Sequence, residues 1–149
     1  MEEKQIGIPK PTKEDRLKQR IERLKAKAKI KKEPKLSELK KIVQRKVNAY
    51  VRERDKDLPC ISCGKFRKLE AGHYWRMGGY GCLRYNLDNL AGQCHDCNHW
   101  KSGNQGEYRI GLIARIGEER VVWLDEHRND IKKWSKEELL DIIKSLSIL

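Results

Sequence analysis

The chain has 149 residues, enough for one ordinary domain or a small domain with an arm, and 38% of them are apolar, which is modest for a core of that size. A net charge of +12 with 38% charged residues makes a polyanion the natural partner, nucleic acid ahead of an anionic membrane surface. No stretch is apolar enough for a transmembrane helix or a secretory h-region, so no membrane role is expected and the expected location is the cytosol.

Charge is concentrated early. Thr12 to Lys46 carries fifteen Lys or Arg against five Asp or Glu, a surplus of ten, which leaves two of the twelve net charges for the rest. Residues 1–35 therefore read as a basic arm, partly disordered or helical, in which Leu17, Ile21, Leu24 and Ala28 form a narrow stripe. Such a stripe gives a helix only when something packs against it, and a loose cationic arm can order on phosphates. Pro34 ends the arm, and residues 36–149 read as the body, with a finger at 58–104 and a helical part at 105–149. Ser37 is placed to cap a helix carrying Leu39, Val43, Val47, Tyr50 and Val51.

The finger opens with Cys60-Ile61-Ser62-Cys63 and closes with Cys94-His95-Asp96-Cys97. Two Cys-x-x-Cys pairs can aim four thiolates from two tight turns at one tetrahedral zinc. Disulfides are the competing reading, and a lysine-rich chain with no secretory segment argues against them. Between the pairs, Leu69 to Tyr74 alternates as a short strand, Met77 to Gly81 must be a loop, Asn89-Leu90-Ala91 can form a second strand, and His95 to Ser102 reads as a helix.

After the finger, Asn104 with Glu107 makes a capping-box start for a helix with Tyr108, Leu112, Ile113 and Ile116 on its apolar face, ending at Gly117. Val121 to Leu124 forms a short helix or a packed turn. Ser135 with Glu138 is a second capping box, with Trp134 and Leu139 at the staple positions ahead of Ile142, Ile143 and Leu146. Cys82, outside both pairs, reads as a small packed residue.

A zinc knuckle around strand, loop, strand and helix resembles the ββα-metal, or HNH, nuclease finger in its zinc-containing branch, so the expected fold class is α+β: a zinc-stapled ββα-metal finger embedded among helices. The resemblance puts His73 at the general base, Asn89 at the asparagine that pins the loop, and Asn98 at the helix ligand of a catalytic Mg²⁺ or Mn²⁺. Those residue types suit the chemistry. An imidazole of near-neutral pKa can deprotonate a water while its other nitrogen is held by backbone, and a hard cation on oxygen ligands neutralises the phosphate and the departing O3′. Taken singly, His73, Asn89 and Asn98 each have an ordinary structural explanation. Many HNH fingers carry an aspartate just before the base, whereas this chain has Gly72, so the cation rests on Asn98 and substrate oxygens or borrows a ligand. His95, Asp96 and His99 are nearby, although His95 and Asp96, lying between zinc cysteines, are expected to support the site or face solvent. Lys101, Arg76 and Arg84 are candidates for phosphate contact, each with a plain solvated alternative, and Tyr74 and Trp75 either wedge a sugar or pack.

At a finer level, the segments Arg54 to Gly64, Ala71-Gly72-His73-Tyr74, Cys94-His95-Asp96-Cys97-Asn98, Ser102-Gly103-Asn104 and Glu107-Tyr108-Arg109 resemble the bacteriophage lambda NinG family, also called Rap. That resemblance implies a recombination endonuclease acting on branched DNA such as Holliday junctions, in the bacterial host cytoplasm if the chain is phage-encoded. A symmetric homodimer would present two fingers to opposed strands. The competing classes are a non-catalytic zinc-finger DNA-binding module and a zinc-organised protein-interaction domain.

Overall fold

A computed structural model describes residues 11–29 and 34–147, excluding the side chains of residues 26–29. The ends of the basic arm, residues 1–10 and 30–33, lie outside the described residues. The chain divides into two compact units, Met1–Pro34 and Lys35–Leu149. In the first, α1 (Lys13–Lys29) starts where Thr12 and Asp15 exchange hydrogen bonds: the Asp15 amide donates to Thr12 Oγ1 at 3.2 Å and the Thr12 amide to Asp15 Oδ2 at 3.0 Å. Its Leu17, Ile21 and Leu24 are all exposed.

The second unit is α+β. Helix α2 (Leu36–Arg54) begins two residues earlier than a Ser37 cap would allow: Lys35 is the capping residue, and its amide donates to Glu38 Oε2 at 3.1 Å, which leaves Ser37 inside the first turn. Leu39, Val43, Val47 and Val51 are buried along one face, against Tyr85, Leu90 and Leu139. The sheet has two antiparallel strands, β1 (Leu69–His73) and β2 (Leu90–Cys94), paired from Leu69↔Cys94 to His73↔Leu90. The second strand thus starts one residue later and runs three further than Asn89-Leu90-Ala91, because its far end must deliver Cys94. Helices α3 (Gln105–Ile116), α4 (Glu118–His127) and α5 (Lys136–Ser145) follow.

Two strands of five residues cannot hold themselves, and three sets of contacts hold them here. Asp55, buried at the end of α2, accepts the Gly92 amide at 2.7 Å and is flanked by Arg54 at 2.7 Å and Arg115 of α3 at 3.1 Å. Ile61, Tyr74, Leu83, Ala91, Tyr108, Leu112, Val121 and Leu124 form a core between the sheet and α3–α4. Helix α3 lies so close to the first cysteine turn that a Cβ on Gly111 would fall 2.0 Å from the Ile61 carbonyl oxygen, so only glycine fits there. At α5 the predicted capping box is present, with the Glu138 amide on Ser135 Oγ at 3.2 Å and the Ser135 amide on Glu138 Oε2 at 2.9 Å, while Leu139 and Trp134 pack in the α2 cluster. Among the described residues no helix is long and apolar enough to cross a membrane.

Candidate metal centre

The first cysteine turn curls back on itself, with the Gly64 amide on the Cys60 carbonyl at 2.9 Å and the Cys60 amide on the Lys65 carbonyl at 3.0 Å. This presents Cys60 and Cys63 to Cys94, at the end of β2, and to Cys97, in the turn beyond it. All four sulfurs lie within 4.8 Å of one another. Cys63 and Cys94 are 3.8 Å apart, matching the edge of about 3.8 Å of a tetrahedron with zinc–sulfur bonds of about 2.3 Å. Burial resists charging Cys60, yet hydrogen bonds from the amides of Cys94, Cys63 and Ser62 draw its thiol down to about 7. Burial and the neighbouring thiols push Cys97 up to about 12. Four thiols so close cannot all ionise together unless a cation neutralises them, and zinc fits the donor set.

From Cys94 the chain does not run as an α-helix to Ser102. It makes one wide π-helical turn, Asp96–Trp100, closed by the Lys101 amide on the Asp96 carbonyl at 2.9 Å. Three consecutive residues with positive φ then reverse it: Ser102 at 50°, Gly103 at 92° and Asn104 at 42°. Asn104 does begin α3, but makes no capping box, because its side-chain amide donates to Cys97 Sγ at 3.8 Å. Left-handed backbone costs Ser102 about 1–2 kcal/mol, and strain of this kind collects at functional sites.

The wide turn faces β1. Glu70 Oε1 meets His95 Nδ1 at 2.9 Å, and Glu70 Oε2 meets Asn98 Nδ2 at 2.8 Å and His99 Nε2 at 2.9 Å. The two imidazoles stack with centroids 4.4 Å apart. Partial burial opposes ionisation of Glu70, but the hydrogen bonds from Asn98, His95 and His99 hold its carboxyl below the usual range. Asp96 turns away to pair with Arg67.

Beside this cluster lies a groove of about 320 Å³ lined by His73, Arg76, Met77, Asn98, His99, Ser102 and Gly103. His73 ends β1, and its Nε2 lies 3.2 Å from the Arg84 carbonyl. A carbonyl only accepts, so Nε2 carries the proton and Nδ1 is left as the basic nitrogen. Burial and the Arg84 guanidinium hold this imidazole below its ordinary pKa, against the Arg84 carbonyl, which favours the charged form. Asn89 is fully buried and ties the loop after β1: its Oδ1 accepts the Trp75 amide at 2.8 Å, and its Nδ2 donates to the carbonyls of Trp75 at 3.0 Å and Leu83 at 3.1 Å.

Of the three cationic residues singled out in the sequence, the structure brings Arg76 to the groove, where it donates to the Ser102 carbonyl at 3.1 Å. Arg84 turns its guanidinium to Gln44 of α2 at 2.9 Å, so its backbone, not its charge, meets His73. Lys101 is exposed after the turn and does not line the groove. Tyr74 and Trp75 pack, sharing Asp125 Oδ1 at 2.9 and 3.1 Å, and Cys82 is half-buried against the carbonyls of His127 and Arg128.

The structure also accounts for Gly72. A Cβ there would lie 2.5 Å from Gln93 Oε1 and 2.9 Å from Gln93 Cβ. Gln93 is fully buried and fixed by donating to Ser62 Oγ and the Gly103 carbonyl, both at 2.7 Å. No aspartate fits at position 72 while Gln93 stays. The residue that sequence reasoning missed is Glu70. It shares a strand face with Gly72 two positions on, and that spacing was the signal available.

The fold and the cysteine cluster define a small α+β protein with a four-thiol site able to hold zinc. Residues 2–148 match the family model described as the bacteriophage lambda NinG protein, and the chain belongs to that family. It is 46% identical over 100 residues to the protein ninG of Escherichia phage lambda, covering 66% of this chain and 48% of that protein. It is 45% identical over 102 residues to the protein ninG of Salmonella phage P22, covering 66% and 49%. The chain therefore spans about half the length of the curated relatives it matches. No solved structure gives a significant match.

Proposed function

We propose that this chain is a metal-dependent endonuclease of the HNH type, its sheet and π turn serving as a ββα-metal finger, and that it cuts branched DNA such as four-way junctions. The observation that carries this reading is the groove in which His73, with Nδ1 left basic by the Arg84 carbonyl, lies alongside Asn98. His73 takes the proton of the attacking water at Nδ1. Asn89 fixes the loop that carries the Arg84 carbonyl and so holds the imidazole in one tautomer. Arg76, anchored on Ser102, is positioned to meet phosphate. A divalent cation held at Asn98, when bound, neutralises charge on the phosphate and the departing O3′.

Branched DNA is favoured because a groove that meets phosphates gains no base specificity, so selectivity must come from backbone geometry, and the basic residues of α1 offer a second cationic surface. The test compares nicking of a junction, a fork and a linear duplex of one sequence at fixed salt, with Mg²⁺, Mn²⁺ or EDTA. Cutting of the junction alone, lost in EDTA, is expected. Equal rates on all three shapes would sink the junction preference, and salt-dependent binding without cutting would leave a non-catalytic DNA-binding finger.

A further inference from the structure

We propose that Glu70, His95 and His99 form a second cation site, distinct from the four thiols, that takes a divalent transition ion of the Mn²⁺, Co²⁺, Ni²⁺ or Zn²⁺ class in preference to Mg²⁺. It deepens the nuclease reading only in that His99 and Asn98 also line the groove, which makes this ion the one used there.

The donor atoms are already gathered. One atom from each of the three residues lies within 4.8 Å of the others. The two carboxylate–imidazole separations of 2.9 Å are the length of a hydrogen bond, and also close to the edge of about 3.0 Å between neighbouring ligands of an octahedral ion with bonds of about 2.1 Å. An ion can therefore enter with small side-chain movement. Each imidazole then gives up the proton it shares with Glu70, either to its other ring nitrogen or, if charged, to water.

The chemistry of the set decides which ion. Mg²⁺ demands oxygen ligands and sheds water reluctantly, whereas two imidazoles with one carboxylate suit Mn²⁺ through Zn²⁺. The site is also open: Glu70, His95 and His99 are more than a third exposed, which leaves positions for water or a phosphate oxygen. Glu70 stands where the missing aspartate cannot. Gln93 closes position 72 to any side chain, and position 70 is the next carboxylate-bearing place on that face of β1.

The experiment titrates the full-length, zinc-replete chain with Mn²⁺, counting free ion by electron paramagnetic resonance, and repeats the titration with equimolar Mg²⁺. One Mn²⁺ per chain is expected, undisplaced by Mg²⁺, with at least tenfold weaker binding in Glu70→Gln and in His99→Gln. His99 is exposed and Glu70 half-buried, and zinc content with far-ultraviolet circular dichroism confirms that both variants fold. Arg67→Ala, which frees Asp96 only, should bind like the parent. No bound Mn²⁺, parity with Mg²⁺, or unchanged binding in Glu70→Gln would each overturn the site. Mn²⁺ binding by a chain that cuts no DNA leaves this site standing and removes the nuclease. Cutting that is indifferent to Glu70→Gln and to the choice of ion does the reverse.

Discussion

One turn of chain, Cys94 to His99, feeds two clusters of opposite character. Inward it gives Cys94 and Cys97 to a set of four sulfurs, three buried and Cys63 half-buried, enough to fill the four positions of a tetrahedral ion. Outward it gives His95, Asn98 and His99 to Glu70, on the solvent side and beside a groove. A closed soft-ligand set is how proteins hold a structural ion, and an open nitrogen and oxygen set is how they expose one to substrate. The π geometry makes the division possible, because its wider turn puts the two histidines in a stack while Cys97 still reaches the thiols. The inner cluster therefore sets the precision of the outer one.

The strongest way to break that relation is to remove a sulfur. Structural zinc in small fingers contributes on the order of 10 kcal/mol, as much as the whole stability of a typical domain. Cys97→Ser should therefore lose zinc and the cooperative thermal transition of the finger, both measurable on the purified chain by elemental analysis and calorimetry. A variant that melts like the parent would mean that the sheet does not depend on the thiols. His73→Ala is the next largest effect and acts on the outer side alone. Losing the proposed base should lower the proposed cleavage about a hundredfold to ten-thousandfold, while junction affinity, measured by gel shift, stays within about twofold. Cleavage at the parental rate would remove His73 from the mechanism.

How far each cluster could be read from the sequence follows the same division. The inner one is written in contiguous spacing: two Cys-x-x-Cys turns carry their geometry with them, so Cys60, Cys63, Cys94 and Cys97 could be named without a fold. His73, Asn89 and Asn98 stood out as candidates only jointly, because each alone has an ordinary structural use. Glu70 left only its strand-face spacing from Gly72 as a trace, since its partners lie 25 to 29 residues away and meet it only through the strand register Glu70↔Gln93. The cap at Asn104 misled for a related reason. The Asn-x-x-Glu pattern is local, and it cannot foresee a cysteine sulfur, seven residues back, capturing the side chain. The helix expected over His95 to Ser102 is present, but as a π turn over Asp96–Trp100, and it stops short of Ser102, where the left-handed run to Asn104 reverses the chain.

Gly72 sharpens the comparison at smaller cost. Gly72→Ala forces a Cβ against Gln93, and overpacking of that size destabilises by about 1–3 kcal/mol. Chemical denaturation should show the loss. Gln93→Ala on its own also destabilises, since it strands Ser62 and the Gly103 carbonyl. The informative quantity is the coupling: Gln93→Ala removes the 2.5 Å Oε1 contact but keeps the Cβ 2.9 Å away, so Gly72→Ala should become less costly in that background without becoming neutral, giving an interaction energy of about 1 kcal/mol. Strictly additive losses would show that Gln93 is not what keeps residue 72 a glycine.

The smallest expected effect concerns pH. His73 has a folded-state pKa below its ordinary 6.5, first because burial disfavours the imidazolium. In the unfolded chain the same residue takes up its proton near the ordinary value, so between the two values the unfolded state holds more protons than the native one. Stability contributed by His73 is therefore complete above about 6.5 and falls as pH drops from there toward the folded pKa. Zinc held by the four thiolates would also be lost in acid, so the parent alone cannot report this contribution. Subtracting the melting temperatures of His73→Asn from those of the parent across pH 5 to 8 isolates it. The difference should be flat on the alkaline side and decline on the acid side, and cleavage by the parent should keep its plateau below pH 6.5, because the base stays neutral there. A difference that grows as pH falls would mean that the native imidazole is stabilised in its charged form, and would remove the neutral Nδ1 on which the proposed proton transfer depends.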